Sequence, residues 1–147
     1  MLKNRVYELI PLDEEKRSSK DLKPYSILFY TSSLPNSGTL ADAKVSLIST
    51  SDKIAPFEIY LKNSVHKFFS TGSLQAFFFK TSDLQELKHV EVMLNIGTTK
   101  KTASWNLDKI LITDLVEHET FYCNPNKIIG VTKDSIDPKA IIKASNI

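Results

Sequence analysis

From Tyr25 onward the chain alternates short apolar runs with polar stretches, and no segment keeps a helical period for about twelve residues. YSILFYT (25–31) is almost continuously apolar, ADAKVSLIS (41–49) puts Ala43, Val45 and Leu47 in one phase, and FEIYL (57–61) is short and aromatic. Runs rich in β-branched and aromatic residues predict strands. LQAFFFK (74–80), HVEVML (89–94), TASWNLDKILITDL (102–115) and HETFYC (118–123) bring the set to about seven or eight strands. Their spacing of about ten residues, with turn signals between, predicts an antiparallel β-sandwich.

One run changes faces. Trp105 and Leu107 share a phase, whereas Ile110 and Ile112 fall in the opposite one. All four reach one core only if the strand carries an extra residue at Asp108-Lys109, which predicts a β-bulge and makes Trp105 a core plug at the strand's start. In LQAFFFK, Phe77 and Phe79 share a face and Phe78 points the other way. Pro, Asn and Gly mark turns in LPNSGT (34–39), STGS (70–73) and NIGTTKKTAS (95–104). TSDLQELKH (81–89) predicts one helical turn capped by Ser82 or Asp83, and a short helix is expected after Pro138. Residues 1–24 read as a charged leader with an apolar patch (Val6, Tyr7, Leu9, Ile10), 25–130 as the sandwich, and 131–147 as a short C-terminal tail.

A chain of 147 residues is most economically one domain. Nineteen basic against seventeen acidic residues leave a net charge of +2, which argues against nucleic acid as a partner through a broad phosphate-neutralising surface. No apolar run is long enough to span a membrane and the start lacks a signal-peptide core, so a peripheral contact is the expectation. The single cysteine, Cys123, cannot form an internal disulfide and reads as a small hydrophobe in a reducing, cytoplasmic setting. His66, His89 and His118 show no metal-pair spacing, and no phosphate-binding loop, nucleophile elbow or dinucleotide fingerprint occurs. A non-enzymatic module without a cofactor is the expectation.

The ordered set YSILFYT, SGTLADAKVSL, LQAFFFKT, VEVML, SWNLDKILI and TFYCN, from about Pro24 to Asn124, resembles the PLAT domain, the lipoxygenase homology sandwich. The closing FYCN and the charged leader are most similar to the polycystin type. The resemblance implies an all-β, eight-stranded antiparallel β-sandwich that docks to membrane lipid or to a protein, as a cytoplasmic part of a larger polycystin-like membrane protein at the membrane's inner face. Two alternatives stand beside it: a purely protein-interaction scaffold domain, and the targeting domain of a lipid-metabolising enzyme such as a lipoxygenase or lipase. Many members carry calcium-binding acids in two loops. Here those loops read TSSLPNSGT and Leu94-Asn95-Ile96, with no carboxylate until Asp42, so calcium is disfavoured.

The resemblance puts loops 32–41 and 95–104 at one end of the sandwich. Leu34 and Pro35 would form an apolar tip beside Lys100 and Lys101, a pairing suited to anionic phospholipid head groups; the bland alternative is two solvated loops. Lys53, Lys62 and Lys67 are candidates to extend a basic face. Phe78, or Tyr122, is the candidate anchor for a protein partner, with packing against the leader as the alternative for Phe78.

Overall fold

In the computed structural model, which describes residues 6–9, 22–95, 104–125, 127–131 and 136–146, the alternating pattern becomes twelve strands and one short helix. In chain order these are β1 (Val6–Leu9), β2 (Leu22–Thr31), β3 (Ala43–Ser49), β4 (Phe57–Leu61), α1 (Asn63–His66), β5 (Leu74–Ser82), β6 (Leu87–Leu94), β7 (Ser104–Trp105), β8 (Leu107–Asp114), β9 (Glu119–Cys123), β10 (Ile129–Val131), β11 (Ile136–Asp137) and β12 (Lys139–Asn146). Eight of them make two four-stranded antiparallel layers, β5-β2-β8-β9 and β12-β6-β3-β4. This is the expected sandwich. Between the layers lie Phe29, Phe77, Trp105 and Ile112 from one side and Val45, Phe57, Val90 and Val92 from the other. Phe57 and Phe79 stack across the gap at 4.5 Å.

The predicted bulge is present. β2 pairs Tyr30 with Lys109 and Thr31 with Leu107, so Asp108 is the extra residue, and Trp105, Leu107, Ile110 and Ile112 are all buried. Phe77 and Phe79 point inward and Phe78 outward, as the period of two requires.

Three expectations give way. The stretch 81–89 is not a helical turn: β5 runs through Ser82, and Asp83 accepts the Gln85 N–H at 2.8 Å in a tight turn that delivers the chain to β6. No helix follows Pro138; Lys139–Asn146 is β12, and what looked like a tail completes the sheets. Its first half, Lys139–Lys143, pairs with β6, and its last residues, Ala144–Asn146, pair with β9, so one strand belongs to both layers. In the leader, β1 adds in parallel to the outer edge of β5, and Pro24 lies within β2 rather than ahead of it.

At the end of the sandwich where β2 begins, Lys23 Nζ meets Asp114 Oδ2 at 2.6 Å and Asp83 Oδ2 at 3.5 Å. Burial alone would raise the Asp114 carboxyl, but the Lys23 ammonium and the N–H groups of Glu117 and Val116 outweigh it and hold it below its usual 3.8. A carboxyl depressed on folding contributes stability that is complete above its unfolded value and is lost as pH falls through the folded one. The melting temperature should therefore drop as acid is added below about pH 3.8, and Asp114→Asn should flatten that limb of the melting-temperature profile.

Candidate functional site

At the opposite end, three segments are tied into one unit by a buried asparagine. Asn63, fully buried at the start of α1, donates through Nδ2 to Thr39 O at 2.7 Å and Ala41 O at 3.2 Å, and its Oδ1 accepts the Phe69 N–H at 3.2 Å. Asp42 Oδ1 accepts both the Ser64 N–H and the Ser64 hydroxyl at 2.8 Å, fixing α1 from the other side. Thr39 N–H reaches Phe69 O at 2.9 Å and Gly38 N–H reaches Thr71 Oγ1 at 3.0 Å. A Cβ on Gly38 would lie 2.6 Å from Thr71 N, so only glycine permits this approach. Asn106 closes the unit, its N–H on Ser37 O and its carbonyl accepting the Ser32 N–H. Beneath, Trp105 stacks on Phe69 at 4.3 Å and donates Nε1–H to Thr31 Oγ1 at 2.9 Å.

From this rigid base three apolar side chains project into solvent: Leu34 at 63%, Leu40 at 62% and Val65 at 68% exposure. Lys62 and Lys67, both exposed, bracket α1, and the His66 ring lies over Phe68 at 5.0 Å. Lys67 takes a left-handed conformation (φ 55°) that ends the helix and turns the chain back toward Phe69. A groove of about 530 Å³ opens beside Leu40, walled by Thr39, Ser70, Thr71, Ser104 and Asn36. Exposed apolar side chains with two lysines beside α1, on a hydrogen-bonded base, can meet an amphipathic surface with little loss of conformational entropy.

Of the residues singled out from sequence, Leu34 stands at this end, with Lys62 and Lys67 near α1. Lys100 and Lys101 lie outside the described residues. Lys53 does not join Lys62 and Lys67. It sits between β3 and β4 at the far end of the sandwich, because that connection leaves β3 in the opposite direction. Phe78 lies on the outer face of the β5-β2-β8-β9 layer and is 45% exposed, with Glu8 of β1 paired to it along the backbone. Beside it Ala76, Leu28, Leu111 and Tyr122 form an uncharged row across four strands. The outer face of the other layer mixes ion pairs, Lys44–Glu58 at 2.9 Å and Lys139–Glu91 at 3.4 Å, with exposed Tyr60, Met93 and Ile141.

Sequence reading missed Asn63, Leu40 and Val65. Leu40 carries a signal, being with Leu34 one of two large aliphatic residues in the turn-rich loop 32–41, whereas the role of Asn63 exists only once 39–41 and 69 are in place. Cys123 is fully buried, and burial pushes its thiol up to about 12, so it packs as a hydrophobe. Asp42 is the single carboxylate of residues 32–42 and already holds Ser64 and the Tyr60 hydroxyl. Among the described residues no three His, Cys, Asp or Glu side chains gather as a ligand set, and no helix is long and apolar enough to cross a membrane.

The family model of the PLAT/LH2 domain matches residues 25–142. No curated protein sequence matches the chain. Among solved structures, the coral 8R-lipoxygenase, described as calcium-activated via a C2-like domain, superposes with a TM-score of 0.65 at 12% identity, over 83% of this chain and 17% of that one. A lipoxygenase in complex with arachidonate gives 0.61 at 11% identity, over 83% and 16%. The alpha toxin from Clostridium absonum gives 0.55 at 12% identity, over 92% and 34%. At these identities the likeness is one of fold, and the chain spans about a sixth of the length of the lipoxygenases it matches.

Proposed function

Because this chain belongs to the PLAT/LH2 domain family, a lipid- and protein-interaction module associated with lipoxygenases, we propose that it docks on an anionic phospholipid surface through the Asn63-clamped loop end. The observation that supports this reading is the set of exposed Leu34, Leu40 and Val65 on one hydrogen-bonded base, with Lys62 and Lys67 beside them. Burying the three tips supplies the apolar part of the contact, and the lysines draw the domain to negative head groups. Docking proceeds without calcium and without catalysis. The module works at the cytoplasmic, inner face of a membrane within a larger polycystin-like membrane protein, a setting in which the free thiol of Cys123 is at home.

Sedimentation with phosphatidylserine vesicles tests this. Each lysine near such a surface contributes on the order of 1 kcal/mol, so Lys62→Glu with Lys67→Glu should weaken binding at least about thirtyfold at low salt. Leu40→Ser with Val65→Ser should weaken it at any salt. Unchanged binding in both double variants would sink the proposal. Phe78→Ser serves as the control and should bind vesicles like the parent. The uncharged row beside Phe78 supports a second reading, a protein partner seated on that outer face, and capture of a partner lost in Phe78→Ser would favour it.

A further inference from the structure

The groove beside Leu40 is lined by hydroxyl and amide groups with protons to give and by no carboxylate. Thr71 Oγ1 accepts the Gly38 N–H at 3.0 Å and Thr39 Oγ1 accepts the Ala41 N–H at 3.1 Å, so each hydroxyl is left with its proton to give. Three carbonyls of the same walls are engaged: Thr39 O by Asn63 Nδ2, Phe69 O by the Thr39 N–H, and Ser70 O by the Ser73 N–H. Among the described residues the Asn36 amide and the Ser70 and Ser104 hydroxyls have no partner, and no acidic residue lines the groove. Its volume of about 530 Å³ lies within the range of small-ligand sites.

That lining disfavours a cation, since an ammonium is held best by carboxylate oxygens and none lines the groove among the described residues. A phosphodiester is an acceptor only, and hydroxyl and amide donors around it form charge-assisted hydrogen bonds. We propose that this groove holds the phosphate of a phospholipid head group, with Leu40 at its rim beside the acyl chains. The proposal rests on the membrane-docking reading and adds a stereospecific contact to it. Because the groove's donors are uncharged, this contact persists at salt concentrations that screen Lys62 and Lys67.

Two measurements on the whole chain test it: amide-resolved NMR titration with glycerophosphocholine, inorganic phosphate or choline chloride, and sedimentation with phosphatidylcholine vesicles at about 0.5 M salt. Glycerophosphocholine and phosphate should shift the amides of Ser70, Thr71 and Ser104 to saturation, and choline should not. Ser70→Glu, a change at an exposed position, should weaken both the soluble ester and the vesicle about tenfold or more, whereas Ser70→Thr, which keeps the hydroxyl, should bind like the parent. No saturable shift, or shifts unaltered by Ser70→Glu, overturns the groove as a phosphate site even if vesicles bind, leaving the docking reading intact. Saturable shifts without binding to any vesicle would overturn the lipid source and the docking reading together.

Discussion

Trp105→Ala should lower the free energy of unfolding by about 3–5 kcal/mol, the usual cost of emptying a large aromatic site. Trp105 is fully buried, and its ring fills the space between Phe69 at 4.3 Å and Phe29 at 5.9 Å, just ahead of the Asp108 bulge. Its loss opens a cavity under the tied loops and takes from Thr31 Oγ1 a buried donor. Denaturant titration followed by circular dichroism checks the figure. Trp105→Phe keeps most of the ring and should cost clearly less. A change below about 1 kcal/mol in the alanine variant would mean that the ring is not the plug described, since buried aromatic truncations seldom cost so little.

Asn63→Asp should cost about 3 kcal/mol or more, for a change of one atom. In the native state Nδ2 serves two carbonyls, Thr39 O and Ala41 O. A carboxylate there sets negative oxygen against both and brings a charge into a fully buried position. The expected outcome has two parts. The melting temperature falls, and amide exchange quickens first at Phe69 and Thr39, the positions whose bonds depend on this side chain or on the loop it holds. Vesicle binding should fall with it, since Leu40 and Val65 are borne by the two segments that Asn63 joins. Preserved exchange rates at Phe69 would remove Asn63 from the centre of the site.

The sandwich was legible because its strands bury one face and expose the other, and a period of two survives in the sequence wherever that holds. The bulge was legible for the same reason: Trp105, Leu107, Ile110 and Ile112 agree on a core only if Asp108 is extra. β12 was not. Ala140 and Ile142 face inward, but Ile141 between them is apolar and 62% exposed, so the alternation is hidden, and Pro138 imitates the first position of a helix. The chemistry expected at Ser82 and Asp83 exists, with a side-chain oxygen capping a backbone N–H, but it closes a turn between strands. Leu34 could be read as a tip from its place in a turn. Lys53 could not be sorted from Lys62 and Lys67 without the direction of β3, and nothing local announces Asn63, whose partners are 22 and 24 residues earlier and six later.

The sharing of β12 between layers has a consequence for how the protein is made. Among the described residues, β12 provides the backbone link between the two layers, with β6 on one side and β9 on the other. It also follows the other eleven strands in chain order and so leaves the ribosome after them. Until then β6 and β9 each present an unpaired edge, and among the described strands the two layers meet through side chains. A translational pause or truncation ahead of Lys139 would leave a nearly complete sandwich with two open, apolar-flanked borders, the form most prone to pair with a neighbouring nascent chain.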